Sequence, residues 1–200
     1  MKYDVAVGMK RLPEDIATKL LSASSEFPEG SGFDVSVDDV ARISGVPRAT
    51  LYYYFSGRDD LIQFYLNDLI DRTATAIEKA AASEGSAPER LTNIMRSVVG
   101  SFSEYPRMCI EMAAAFKASD DHAQFLGNID RTVMAPLRTT LSEGSLAGEL
   151  TINEVDMTAA AIMGALHQTS LTKLIFTGKI DADEITDLVV PMLMKGVLPR

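Results

Sequence analysis

The sequence predicts an all-α protein with a small N-terminal helix-turn-helix module and a larger helical C-terminal part, about nine helices in all. Three observations carry this. Apolar residues recur at spacings of three and four through most of the chain, with no two-residue alternation of the kind strands show. Caps and breakers cut the chain into helix-sized pieces. Residues 36–55 place two short helices around a glycine-containing turn.

The elements follow in order. Leu12, Ile16, Leu20, Ala23 and Phe27 form one apolar stripe, and Pro13 with Glu14 and Asp15 suits a first helical turn. "PEGSG" at 28–32 breaks that helix. Ser36 caps a second, short helix, with Asp39 three residues on in a box-like arrangement. Gly45 ends it, where a left-handed backbone is cheap for glycine. A third helix covers 48–54 and a long fourth 58–82, stopped by "SEGSAP" at 83–88. Further helices are predicted over 88–104, 106–118 and 120–142, the last bent at Pro136 because proline removes one ladder bond. "EGSLAGEL" at 143–150 reads as a loop. Two final helices cover 153–176 and 182–196, with Pro191 disturbing the second.

The totals exclude several classes. No apolar run approaches the roughly 18 residues that span a bilayer. "MKYDVAVGMKRLPED" lacks the apolar centre of a secretion signal, so a cytoplasmic protein with no membrane partner is expected. The single cysteine, Cys109, rules out an internal disulfide and a cysteine-based zinc site. With only His122 and His167 besides, neither a metal centre nor a cofactor is expected. No nucleophile–base frame or glycine-rich phosphate loop is visible, so the chain does not read as an enzyme.

A formal net charge of -9 argues against a general nucleic-acid binder, but the distribution matters more than the sum. From Ala41 to Arg58 there is no acid, while Arg42, Arg48 and Arg58 all fall there; Asp38-Asp39 and Asp59-Asp60 stand on the flanks. On the third helix, at about 100° per residue, Arg48, Ala49, Tyr52 and Tyr53 share one outward face. Leu51 and Phe55 point back to the core, and Thr50 and Tyr54 fall on the flank. Val37, Val40, Val46 and Leu51 supply the seam between the two short helices, and Ala41 lets them approach. An arginine and two tyrosines on one exposed face fit duplex DNA: arginine bonds guanine bidentately, and tyrosine reaches phosphate or a thymine methyl. Alternatively "LYYYF" is a buried aromatic cluster, or its face docks a protein partner.

"SVDDVARISGVPRATLYYYFSGRDDL" resembles the DNA-binding signature of the TetR/AcrR family of bacterial transcriptional regulators, through Ala41, Gly45-Val46, Thr50-Leu51-Tyr52-Tyr53, Phe55 and Arg58. With the preceding helix the likeness covers residues 12 to about 68. It implies an N-terminal DNA-binding domain at 1–57, a ligand-binding and dimerisation domain at 58–200, a homodimer, and release from operator DNA by a small-molecule inducer. It also implies DNA contacts from Arg48, Ala49, Thr50, Tyr52, Tyr53, Tyr54 and Arg58, and from Ser36 and Val37 at the start of the second helix. Two departures stand out. Tyr54 replaces a usual histidine, and Asp38-Asp39 occupy a place where some members carry a basic reader; these carboxylates are expected to face solvent.

Small residues Ala159-Ala160-Ala161, Gly164 and Ala165 let another helix approach the 153–176 segment. With 182–196 it resembles the pair that forms a four-helix dimer interface; the alternative is an internal hairpin. An apolar ligand pocket is expected among Met95, Val99, Phe102, Met108, Met112, Phe116, Phe125, Met134, Met163, His167 and Phe176, methionine suiting an adaptable cavity. The same residues would equally fill an ordinary core. Cys109 is a redox sensor only if accessible and activated, and otherwise a small buried hydrophobe.

Overall fold

A computed structural model describes residues 12–27, 35–106, 109–110 and 127–198. These residues form eight α-helices and no strand: α1 (Glu14–Ala23), α2 (Val37–Ser44), α3 (Arg48–Tyr54), α4 (Arg58–Ala81), α5 (Ala87–Glu104), α6 (Ala135–Leu146), α7 (Val155–Thr177) and α8 (Ala182–Val197). They gather into two compact units, residues 1–69 and 70–200, with α4 contributing to both. The helix expected over 106–118 lies almost entirely outside the described residues, as does the start of the one expected from 120.

In the first unit α1 packs on α2, and α2 on α3. Leu20, Ala23, Val37, Val40, Val46, Leu51, Phe55, Leu61, Phe64 and Tyr65 are buried together. Ala17 joins them, while Ile16, expected on the α1 stripe, is only half-buried. Tyr65 illustrates how a polar tip is kept in such a core: its hydroxyl donates to the Leu20 carbonyl at 3.0 Å. Burial pushes the Tyr65 phenol well above its ordinary pKa. The ring meets Phe64 edge-on at 5.4 Å, and Phe64 meets Phe55 at 5.8 Å. Helix α1 ends at Ala23, four residues before the end of its apolar stripe, and passes into a 3₁₀ turn over Ser24–Glu26.

In the second unit α5 is central, contacting α6, α7 and α8. Leu91, Ile94, Met95, Val98, Val99 and Phe102 on α5 meet a core that includes Leu137 and Leu141 of α6, Ile162 and Leu166 of α7, and Ile185 and Val189 of α8. Ser86 opens α5 with a reciprocal box: its hydroxyl accepts from the Glu89 amide, and Glu89 accepts from the Ser86 amide at 2.8 Å. That backbone bond, followed by the Ser86 hydroxyl, holds the Glu89 carboxyl below its ordinary pKa.

Three expectations change here. "EGSL" at 143–146 is helix, not loop; the turn comes only at Gly148, with φ 72°. Gly144 is a close-approach residue, not a breaker: a Cβ there would stand 2.6 Å from the Ala87 Cβ and from the Leu150 Cδ1. Its carbonyl accepts from both Glu149 and Leu150. Second, Pro136 follows a π-helical stretch, Asp130–Met134, that continues into α6. The Ala135 amide reaches back five residues to the Asp130 carbonyl, so the wider turn takes up the break in the ladder ahead of proline. Third, α8 continues through Pro191 to Val197. The carbonyl that proline deprives of a partner belongs to Asp187, an exposed residue whose backbone water can serve.

Candidate nucleic-acid interface

The site is built on α2 and α3. Ser36, extended at φ -79°, starts α2: its hydroxyl accepts from the Asp39 amide at 3.1 Å and donates to Asp39 Oδ2 at 2.6 Å. The Ser36 amide completes the box on the same carboxylate. The Ser36 hydroxyl, and after it Arg42, hold the Asp39 carboxyl below its ordinary pKa. Gly45 closes α2 at φ 67°, in the left-handed region. Pro47 then opens α3, accepting from the Thr50 and Leu51 amides.

The outward face of α3 is the one the helical wheel predicts. Tyr52 is 49% and Tyr53 57% exposed, with Arg48 and Ala49 beside them, whereas Leu51 is 1% and Phe55 4% exposed. Thr50 and Tyr54 are half-buried on the flank, and the Tyr54 ring stands edge-on to Tyr53 at 4.9 Å. The other expected contacts are more constrained. The Val37 side chain is buried in the seam, which leaves only its main chain for an outside partner. The Ser36 hydroxyl is engaged in its box. Arg58 donates through Nε to the Val35 carbonyl at 3.1 Å and lies 4.0 Å from Asp59.

The arginine window is less cationic than its sequence suggests. Arg42 pairs with Asp39 at 3.2 Å, and Arg48 Nη1 pairs with Asp38 Oδ1 at 2.9 Å. The guanidinium of Arg48 also lies over the Tyr52 ring, 5.3 Å from its centroid. The acids that flank the window in sequence are thus folded back onto it. Asp38 and Asp39 were expected to face solvent; Asp38 is exposed and Asp39 half-buried, both are paired, and the Asp38–Arg48 pair is revealed only by the approach of 38 to 48 in space.

The second unit holds a small apolar cavity of about 20 Å³, lined by Ile70, Thr73, Val98, Ser101, Phe102, Ile129, Thr132, Val133 and Met163. Phe102 and Met163 were among the expected pocket residues. Met95, Val99 and His167 are buried but do not line it, and Met134 is half-buried. Met108, Met112, Phe116 and Phe125 lie outside the described residues. Phe176 is 83% exposed at the end of α7, so it bounds no cavity within the single chain. His167 Nε2 donates to the Cys109 carbonyl at 2.8 Å, as a satisfied core histidine does. Cys109 is fully buried, and burial pushes its thiol up to about 12, which removes the thiolate a redox sensor needs. The Thr73 hydroxyl donates to Ser101 Oγ at 2.9 Å on the cavity wall. A threonine falling on the apolar stripe of α4 between Leu69 and Ile77 was the signal available for it.

A capped helix-turn-helix whose second helix is pinned from behind, followed in the chain by a second helical unit, is the architecture of a helix-turn-helix protein. Residues 20–63 match the family model described as bacterial regulatory proteins, tetR family. The chain is 27% identical over 116 residues to the HTH-type transcriptional regulator EthR of Mycolicibacterium smegmatis, across 56% of this chain and 52%, about half, of that relative. It is 20% identical over 182 residues to the fatty acid metabolism regulator protein of Bacillus subtilis, across 90% and 94% of the two chains. Its fold is similar to a crystal structure of FadR from Bacillus subtilis in complex with stearoyl-CoA, with TM-score 0.70 and 19% identity, covering 90% of this chain and 98% of that one. Over residues 20–63 the chain is therefore similar to the tetR family of bacterial regulatory proteins. Both of these relatives are described as regulators.

Proposed function

We propose that this protein is a ligand-responsive repressor that binds a palindromic operator as a homodimer and leaves it when a small, largely apolar inducer enters the second unit. The observation that carries the reading is the outward face of α3, where Arg48, Ala49, Tyr52 and Tyr53 stand exposed while Leu51 and Phe55 anchor the helix. An arginine and two tyrosines exposed on one helix face match what the major groove accepts from a reading helix. Ser36, Val37, Thr50, Tyr54 and Arg58 border that face and complete the proposed contact set. Helices α7 and α8 support the dimer: Ile175, Phe176, Leu188 and Met192 are large apolar residues left exposed by the single chain. A two-fold pair of reading heads matches half-sites about 34–36 Å apart. The division of labour is proposed to follow the chain, reading head at 1–57 and ligand-binding and dimerising part at 58–200.

The cavity and the relatives together support an inducer class. The lining is apolar except for the paired Thr73 and Ser101 hydroxyls, and about 20 Å³ holds little more than one water. Ligand entry therefore requires the cavity to open. Fatty acyl thioesters are the first compounds to test, because a fatty acid metabolism regulator aligns over nearly the whole chain and the similar FadR structure holds stearoyl-CoA. The experiment is selection of duplexes from a random library with the full chain, then release of the selected duplex by acyl thioesters of graded length. Enrichment of an inverted repeat, lost on Arg48→Ala, supports the reading. Failure to enrich any repeat sinks it, and binding that no acyl thioester weakens removes the inducer class.

A further inference from the structure

Asp38 and Asp39 are neighbours with separate work. Asp39 closes the α2 box and takes Arg42. Asp38 takes no part in that box and instead grips Arg48 at 2.9 Å. Both side chains of the Asp38–Arg48 pair are 60% exposed, so the pair adds little to stability. Its consequence is for presentation. An exposed arginine carries about 2 kcal/mol of rotamer entropy and is an indiscriminate phosphate binder. Here the guanidinium is held at two places, with Asp38 on one Nη and the Tyr52 ring under one face. The Arg48 side chain is still 60% exposed, so its planar fork can present a bidentate pair of N–H groups to guanine. The carboxylate also partly cancels the charge that would draw Arg48 to a phosphate.

We infer that Asp38 is a specificity-determining positioning residue, which holds Arg48 on a base edge and away from the phosphate backbone. The inference rests on the proposed role of Arg48 as a base reader. It predicts that Asp38→Asn weakens discrimination while strengthening binding to unrelated DNA. The test uses the full-length chain, the duplex it enriches from a random library, and single-base variants of that duplex. Arg48→Ala should abolish preference at one base pair per half-site, roughly a 5- to 150-fold change. Asp38→Asn should reduce preference at that same pair by several-fold. It should also raise affinity for a scrambled duplex and steepen the logarithmic salt dependence by up to about 0.9 per protomer, the signature of one added phosphate contact. The double variant should match Arg48→Ala alone, because Asp38 acts only through Arg48. An unchanged circular dichroism spectrum confirms that α2 persists, since its cap is elsewhere.

If Arg48→Ala shifts base preference and Asp38→Asn leaves both preference and salt slope untouched, the assignment of Asp38 is overturned and the reading of Arg48 stands. If Asp38→Asn still changes preference in the Arg48→Ala background, Asp38 contacts a base itself and the positioning role is wrong. If Arg48→Ala changes no base preference, both fail together.

Discussion

Replacing Ser36 by alanine should loosen α2 by a predictable amount. The hydroxyl accepts from the Asp39 amide at 3.1 Å and donates to the Asp39 carboxylate at 2.6 Å, and alanine removes both bonds. Losing such a cap costs about 1 kcal/mol, which is about fivefold in the opening equilibrium of the helix. The burial of Val37 and Val40 is untouched, so the helix should still form. Native-state hydrogen exchange is the suitable assay, because it reads α2 separately from the second unit. Amides of Arg42, Ile43 and Ser44 should exchange about fivefold faster in Ser36→Ala, with those of Leu137 to Leu141 unchanged. Ser36→Gly should accelerate them less than twofold, since glycine at an N-cap costs only a few tenths of a kcal/mol. Equal effects from alanine and glycine would refute the argument, because the hydroxyl would then not be what separates them. The box also has a pH sense. A depressed carboxyl stabilises the fold fully above its ordinary value of 3.8 and loses that contribution as pH falls through the depressed one. Acid should therefore erase part of the difference between wild type and Ser36→Ala.

Other outcomes are equally direct. Gly144→Ala should destabilise the second unit by about 1–3 kcal/mol in urea melts, because neither the new Cβ nor the Ala87 Cβ 2.6 Å away can swing aside. Gly100→Ala, in the middle of α5 with nothing within 4 Å, should instead stabilise it by up to about 1 kcal/mol. Cys109, its thiol pushed up to about 12, should react with a disulfide reagent at pH 8 on the order of a hundredfold more slowly in the native protein than in the unfolded one. Leu188→Lys with Met192→Lys should leave helix content intact, since both are exposed at 69% and 64%, yet yield monomers by sedimentation; an unshifted dimer would place the interface elsewhere.

Much of the first unit was legible because its signals are local. The Ser36–Asp39 box, the Gly45 turn and the facing of Leu51, Tyr52 and Tyr53 all follow from residues within one or two turns of each other. The Asp38–Arg48 pair was not legible, since it joins different helices and needs the crossing of α2 and α3 to exist. Gly144 misled for the reverse reason: glycine in sequence signals a break, and only the approach of Ala87, far away in the chain, shows why no side chain fits. The cavity escaped because its lining draws on α4, α5, α7 and the π-helical stretch, so no stretch of sequence contains it. Most of the expected lining, chosen for methionine and phenylalanine content, turned out to be core or lay outside the described residues.

The π-helical stretch Asp130–Met134 gives the second unit slack in its winding. A π turn amounts to one extra residue in an α-helix, so the chain before it is out of phase with α6 by roughly 100°. Leu137 and Leu141 keep their seat whatever happens upstream, whereas Ile129, Thr132 and Val133 face the cavity only because of where the extra residue sits. Sliding that defect by a single position would deal a different set of side chains to the cavity wall, with no helix melted and no loop lengthened.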